Sequence, residues 1–170
     1  MKKFGAKSPQ VWLNYATFLH TTAAEPARAR ALLPRATQSL ATQHHLHLMT
    51  RLAALEFRSA HGEPERGRTM FEGLVSTFPK KGDLWGQLLD LELGLAGKEA
   101  EDGTAVRDVF ERRTKVKGLK PKPAMKWFAR WADWEETVAG KKGRDRVVKK
   151  TEEWVARYKA SKDDEDEDNE

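Results

Sequence analysis

Four blocks of this chain carry the same side-chain pattern at nearly the same spacing, and few folds satisfy that repetition. The lead residues are Trp12, Met49, Trp85 and Phe128, at steps of 37, 36 and 43. Three residues further on stand Tyr15, Leu52, Leu88 and Trp131, followed by Ala16, Ala53, Leu89 and Ala132. Seven past each lead come Leu19, Glu56, Glu92 and Glu135. Offsets of three, four and seven put these side chains on one stripe of a helix. An arginine series interleaves with them: Arg30, Arg68, Arg107 and Arg146, at steps of 38, 39 and 39. Two series at one period imply paired helices that cannot bury their apolar faces alone and must stack on their neighbours.

Period-two runs of β-branched and aromatic residues are missing, whereas Leu, Ala, Arg, Lys and Glu recur at helical spacing. The chain is expected to be all-α. Ser8-Pro9 and Glu25-Pro26 open the first two helices, proline costing nothing at a first helical position. Pro34 lies inside the second and predicts a kink. The third helix is expected over about 44–59, the fourth from Gly62-Glu63-Pro64 to Phe78-Pro79, and the fifth behind an Asp83 cap. A connector at 97–103 precedes the sixth. The seventh contains Phe128 to Glu135, and Gly140 to Gly143 separates it from the eighth.

A carboxylate on an apolar stripe needs a partner, because a buried unpaired charge is expensive. The arginine series supplies one. The expected pairs are Glu56 with Arg68, Glu92 with Arg107 and Glu135 with Arg146, each inside its own hairpin and structural in role. Arg30, opposite Leu19, is expected to find another acceptor or water. His44, His45 and His47 lack the spacing and acidic companions of a zinc site and read as a polar helix start. No metal or cofactor is expected.

The net charge of +5 hides an asymmetry. Residues 163–170 hold seven acids, and removing them leaves +12 on the first 162 residues. Arg112, Arg113, Lys115, Lys117, Lys120, Lys122 and Lys126 flank the turn after the sixth helix; Lys141, Lys142, Arg144, Lys149 and Lys150 follow on the last hairpin. This surface is a candidate for RNA or partner contact, with a steep salt dependence as its signature. The absence of cysteine excludes disulfides and thiolate metal sites. No apolar run approaches the roughly 18 residues needed to cross a bilayer, and no signal-type segment follows Met1, so a soluble intracellular protein is expected. No nucleophile–His–acid set, P-loop or dinucleotide motif occurs, and a non-enzyme without a small-molecule substrate is expected.

The repeats resemble the half-a-TPR (HAT) repeat. Its first helix is matched by Trp12-Leu-Asn-Tyr-Ala-Thr-Phe18 and by Phe128-Ala-Arg-Trp-Ala-Asp-Trp-Glu135, and its second by Val106-Arg-Asp-Val-Phe-Glu-Arg112 and Gly67-Arg-Thr-Met-Phe-Glu72. Lys149 and Lys150 depart from it where an aromatic and Glu are usual, as does Pro34 at a Glu position. Lys2-Lys-Phe-Gly5, Val11 to Leu19, Ala29 to Leu33, Phe71 to Leu74, Asp83-Leu-Trp85 and Asp145 to Val148 further resemble the C-terminal region of the ribosomal RNA processing protein five family. The resemblance implies a right-handed superhelical solenoid of four HAT-like antiparallel hairpins over 8–160. Residues 1–7 would end a preceding repeat; 161–170, acidic and without apolar residues, are expected from composition to be a disordered tail. The resemblance also implies a nucleolar scaffold in pre-rRNA processing and small-subunit processome assembly. Its partners would be other ribosome-assembly proteins, with pre-rRNA or small nucleolar RNA nearby and no membrane. Two alternatives stay open: a HAT module of the splicing or mRNA 3′-end machinery, and a direct RNA-binding helical solenoid.

Overall fold

A computed structural model describes residues 7–96 and 103–167, with side chains to residue 161. The described chain is all-α and divides into two compact units, 1–103 and 104–170.

The first unit contains α1 (Pro9–Thr21), α2 (Pro26–Arg30), α3 (Leu32–Ser39), a 3₁₀ turn (Thr42–His44), α4 (His45–Arg58), α5 (Pro64–Thr77) and α6 (Gly82–Ala96). Helices pair antiparallel, α1 with α2 and α4 with α5, while α4 also packs on α1 and α6, and α5 on α6. The core is built from the repeated stripe: Trp12, Ala16, Leu19, Leu52 and Ala53 are all buried, joined by Leu48 one residue before the expected lead Met49. Apolar stripes laid helix on helix are what drive this stacking.

Local signals act as expected at several ends, and differently at others. Prolines occupy the first positions of α1, α2 and α5. Ser8 sits at the N-cap of α1 but makes no side-chain cap bond; its carbonyl accepts from the Val11 N–H at 3.2 Å instead. Asp83 stands in the first turn of α6, where its carboxylate still meets the positive end of the helix dipole. Pro34 does more than kink its helix. The run from Pro26 is broken at Ala31, which ends α2 and begins α3. A proline four residues beyond Arg30 cannot donate to the Arg30 carbonyl and crowds it, so the break falls one turn before the proline.

The second unit contains α7 (Thr104–Thr114) and α8 (Pro121–Glu167). The latter is two arms meeting at Gly140, whose φ of 63° and ψ of −161° lie outside helical space and suit glycine alone. Its core is aromatic: Phe110 is fully buried, stacks on Trp131 at 5.4 Å between centroids, and receives the Trp127 ring edge-on at 5.4 Å. Trp127 Nε1 donates to the Phe110 carbonyl at 3.2 Å. The backbone of α8 stays helical as far as Glu167, into the acidic stretch for which disorder was expected. Extending an existing helix adds a hydrogen bond for each residue fixed, without a new nucleation cost. Residues 1–6, 97–102 and 168–170, which include most of the expected preceding repeat and the 97–103 connector, lie outside the described residues.

Candidate functional site

The buried carboxylates and the arginines do meet, but across a different boundary from the one the spacing predicted. Glu56 on α4 is gripped by Arg30 on α2: Nε donates to Oε1 and Nη2 to Oε2, both at 2.8 Å. Arg68 on α5 grips Glu92 on α6 through the same two bonds, both at 2.8 Å. Arg107 on α7 grips Glu135 on α8 at 2.6 and 3.2 Å. Each arginine therefore reaches forward to the next carboxylate of the repeated series, Glu56, Glu92 or Glu135. The expected pairs of Glu56 with Arg68 and of Glu92 with Arg107 are replaced by these forward clamps. The physical reason is that α5 packs on both α4 and α6, and its arginine faces the following helix.

Glu135 with Arg146 is present in a weaker form, at 3.6 Å with the Arg146 side chain 65% exposed. Burial along the helices explains the difference. Ala29, Gly67, Val106 and Val147 are buried, as are Ala36, Leu74, Arg113 and Trp154 seven residues later. Arg30, Arg68 and Arg107 each follow the first buried residue, so the equivalent in the last arm is Val148, 44% exposed. Arg146 is two positions off that register and reaches back to its own hairpin.

The clamps are dry on the carboxylate side. The side chains of Glu56, Glu92 and Glu135 are 3–4% exposed, those of Arg30, Arg68 and Arg107 18–34%. Burial by itself raises the Glu56 carboxyl, but the Arg30 fork and the Glu63 N–H (3.0 Å) outweigh it and hold the group below its ordinary value. Arg30 and Arg68 are held above theirs by Glu56 and Glu92. Two-bonded guanidinium–carboxylate pairs fix geometry as well as charge.

His20 was not anticipated from the sequence. It is buried next to Leu19, with Nε2 3.9 Å from Glu56 Oε1, and its Nδ1 has no hydrogen-bond partner among the described residues. Burial lowers its pKa, and the Glu56 charge offsets this only partly. A histidine on the stripe of α1 is the only hint the sequence offered. Of the other histidines, His45 Nε2 lies 2.9 Å from the Leu40 carbonyl. Among the described residues no cluster of three or more His, Asp or Glu could hold a metal ion, and no helix is long and apolar enough to cross a membrane.

The basic surface separates into engaged and available groups. Arg113 is buried, its pKa lowered by that burial, and occupies the core position that Leu74 holds in α5. This removes it from the expected contact surface. Arg112 pairs with Asp108 at 3.2 Å, Lys115 with Glu111 at 3.5 Å, and Arg144 with Glu136. Lys150 donates to Glu111 at 2.6 Å and stands 5.3 Å from the Trp131 ring centre. Lys117, Lys120, Lys122, Lys126, Lys141, Lys142 and Lys149 are exposed.

Lys117 and Lys120 edge a cleft of about 690 Å³ between the 115–120 connector and the second arm of α8. Arg157, Trp154 and Tyr158 complete it, none of which was among the expected contact residues. Their convergence depends on the turn at Gly118 (φ 73°), which brings the connector back beside the last arm.

No family model matches the chain. It is 38% identical over 149 residues to rRNA biogenesis protein rrp5 of Schizosaccharomyces pombe, an alignment covering 87% of this chain and 8% of that protein. It is 32% identical over 155 residues to Protein RRP5 homolog of Mus musculus, covering 91% and 8%. With rRNA biogenesis protein RRP5 of Arabidopsis thaliana the identity is 28% over 156 residues, again 91% and 8%. The chain thus spans about 8% of the length of these relatives. Over most of its own length, it is homologous to a segment of the RRP5 family proteins.

Proposed function

We propose that this chain is a protein-docking scaffold segment of a ribosome-biogenesis factor, working in pre-rRNA processing and small-subunit processome assembly in the nucleolus. The observation that carries this reading is the homology to the RRP5 proteins along nearly the whole described chain. The repeated forward clamps support it from the side of structure, because they tie successive helices as stacked hairpins of a HAT-like, right-handed solenoid over 8–160 require. Such an array offers side-chain surface instead of a reaction centre, and its buried charges are committed to one another.

Protein docking is favoured over direct RNA reading by the state of the basic groups. Of the twelve cationic residues singled out, Arg112, Arg113, Lys115, Arg144 and Lys150 are buried or paired within the protein. Trp127, Trp131 and Trp134 pack on Phe110, and Trp154 on Phe128 and Tyr158, instead of standing free as base platforms. Other ribosome-assembly proteins are the proposed partners, with pre-rRNA or small nucleolar RNA close by.

The test uses the 170-residue chain as bait in a nuclear extract, beside a salt series of binding to pre-rRNA fragments. The reading expects enrichment of ribosome-assembly proteins and weak, steeply salt-dependent RNA binding. Enrichment of splicing or 3′-end factors in their place would overturn it. So would tight, structure-selective RNA binding by this chain alone.

A further inference from the structure

We propose that the cleft beside the last arm of α8 docks an acidic peptide segment bearing one large apolar anchor residue. The inference rests on the scaffold reading and names the chemistry of one partner.

Three properties of the cleft point to that occupant. Its floor is apolar, formed by Val116, Leu119, Trp154 and Tyr158, and its volume of about 690 Å³ accommodates a side chain with its flanking backbone. Its rim is uniformly cationic. Lys115, Lys117, Lys120 and Arg157 line it, and among the described residues no acidic side chain does. Lys115 leans on Glu111 at 3.5 Å, whereas Lys117, Lys120 and Arg157 have no ion pair among the described residues. Like charges converging without internal carboxylates are repulsive until an anion joins them.

The third property is the state of the rings. Trp154 is 8% exposed, stacks on Tyr158 at 5.2 Å and 15°, meets the Phe128 ring edge-on at 6.2 Å, and donates from Nε1 to the Thr114 carbonyl at 3.1 Å. These rings are occupied with each other and form a wall. A single-stranded nucleic acid exploits open aromatic faces on which successive bases stack, and this cleft offers a greasy pocket under a cationic rim instead. An amphipathic acidic segment matches both parts: the anchor fills the floor and the carboxylates meet Lys117, Lys120 and Arg157.

The experiment is a fluorescence-anisotropy titration of the full chain with a labelled synthetic peptide holding one phenylalanine between blocks of aspartate. A second peptide carries serine in place of the phenylalanine, and oligouridylate serves as competitor. Replacing the anchor, or combining Lys117→Glu with Arg157→Glu, is expected to weaken binding about tenfold. The combination of Lys141→Glu with Lys142→Glu, away from the cleft, should leave the affinity unchanged. Circular dichroism of each variant verifies the fold. The proposal is overturned if the phenylalanine peptide does not bind, if the serine peptide binds as well, or if both charge reversals act alike. Tighter binding of oligouridylate, lost with the cleft reversal, would reassign the cleft to nucleic acid. Using the same proteins as baits separates the two ideas. A wild-type bait that recovers ribosome-assembly proteins without binding the peptide retires the cleft and leaves the scaffold. A bait that recovers none retires the scaffold, whatever the peptide does.

Discussion

Arg68 and Glu92 meet fork to fork, Nε on Oε1 and Nη2 on Oε2 at 2.8 Å each, and so join α5 to the helix that follows it. The same relationship ties Arg30 to Glu56 and Arg107 to Glu135. Helices held this way are interlocked within each unit, and stability should respond to the forward pairs more than to pairs within a hairpin.

Glu92→Ala is expected to destabilise the protein by about 1.5–3 kcal/mol, since it removes both charge-assisted hydrogen bonds that join Arg68 to α6 and leaves the guanidinium its Glu65 contact. Arg146→Ala should cost less than about 1 kcal/mol, the range for an exposed ion pair. Urea unfolding of the two variants makes the comparison. Equal losses would contradict the forward arrangement.

The register in the last arm has its own test. Arg107→Val leaves Glu135 buried with only Arg146 at 3.6 Å and Trp131 Nε1 at 3.4 Å. A loss of about 2 kcal/mol is expected for removing a hydrogen-bonded charge partner. Val148→Arg, at the equivalent position in an exposed setting, should change stability by no more than about 0.5 kcal/mol. Thermal unfolding of both variants is the measurement.

Acidification should weaken the first unit in two stages. His20 has a folded pKa below its ordinary 6.5, so the unfolded chain takes up the proton first. The stability it contributes is present above about 6.5 and is lost as pH falls from there toward the folded value. Glu56 also has a lowered folded pKa, so its contribution is present above the ordinary 4.5 and is lost as pH falls below it through the folded value. Stability measured by denaturant titration at several pH values should therefore decline first in the histidine window and again in the carboxyl window. His20→Leu should abolish the first decline and keep the second.

Two glycines should respond oppositely to the same substitution. A Cβ at Gly62 would stand 2.3 Å from the Glu56 carbonyl oxygen, whereas one at Gly73, within α5, meets nothing within 4 Å. Gly62→Ala is expected to cost about 1–3 kcal/mol through overpacking. Gly73→Ala should stabilise by about 0.5–1 kcal/mol through helix propensity. Melting temperatures shifted in the same direction would refute the close approach behind Glu56.

Much of the molecule was legible in its residues because helix faces are a local property. The offsets of three, four and seven from Trp12, Trp85 and Phe128 depend only on the 3.6-residue turn, and those faces are buried. Pro26, Pro64 and Gly140 act through their own backbone and mark the helix boundaries as expected. Even the acceptor of Arg30 was anticipated as something other than Leu19, though not its identity.

The partners of the charged groups were decided elsewhere. A helix between two neighbours can turn an arginine toward either one, and the linear spacing of Glu56, Arg68 and Glu92 is compatible with both choices; only the packing of α5 on α6 selects Glu92. Burial also showed that Val148, not Arg146, holds the fourth place in the arginine register. The cationic cleft unites the connector at 115–120 with Arg157 and Tyr158, nearly forty residues away in sequence. The sequence by itself determined where most of the helices lie and which stripe of each first helix is buried, because those follow from one turn of backbone. Tertiary structure alone decided which buried charge answers which, and where exposed charge converges, because those are contacts between helices that no local period encodes.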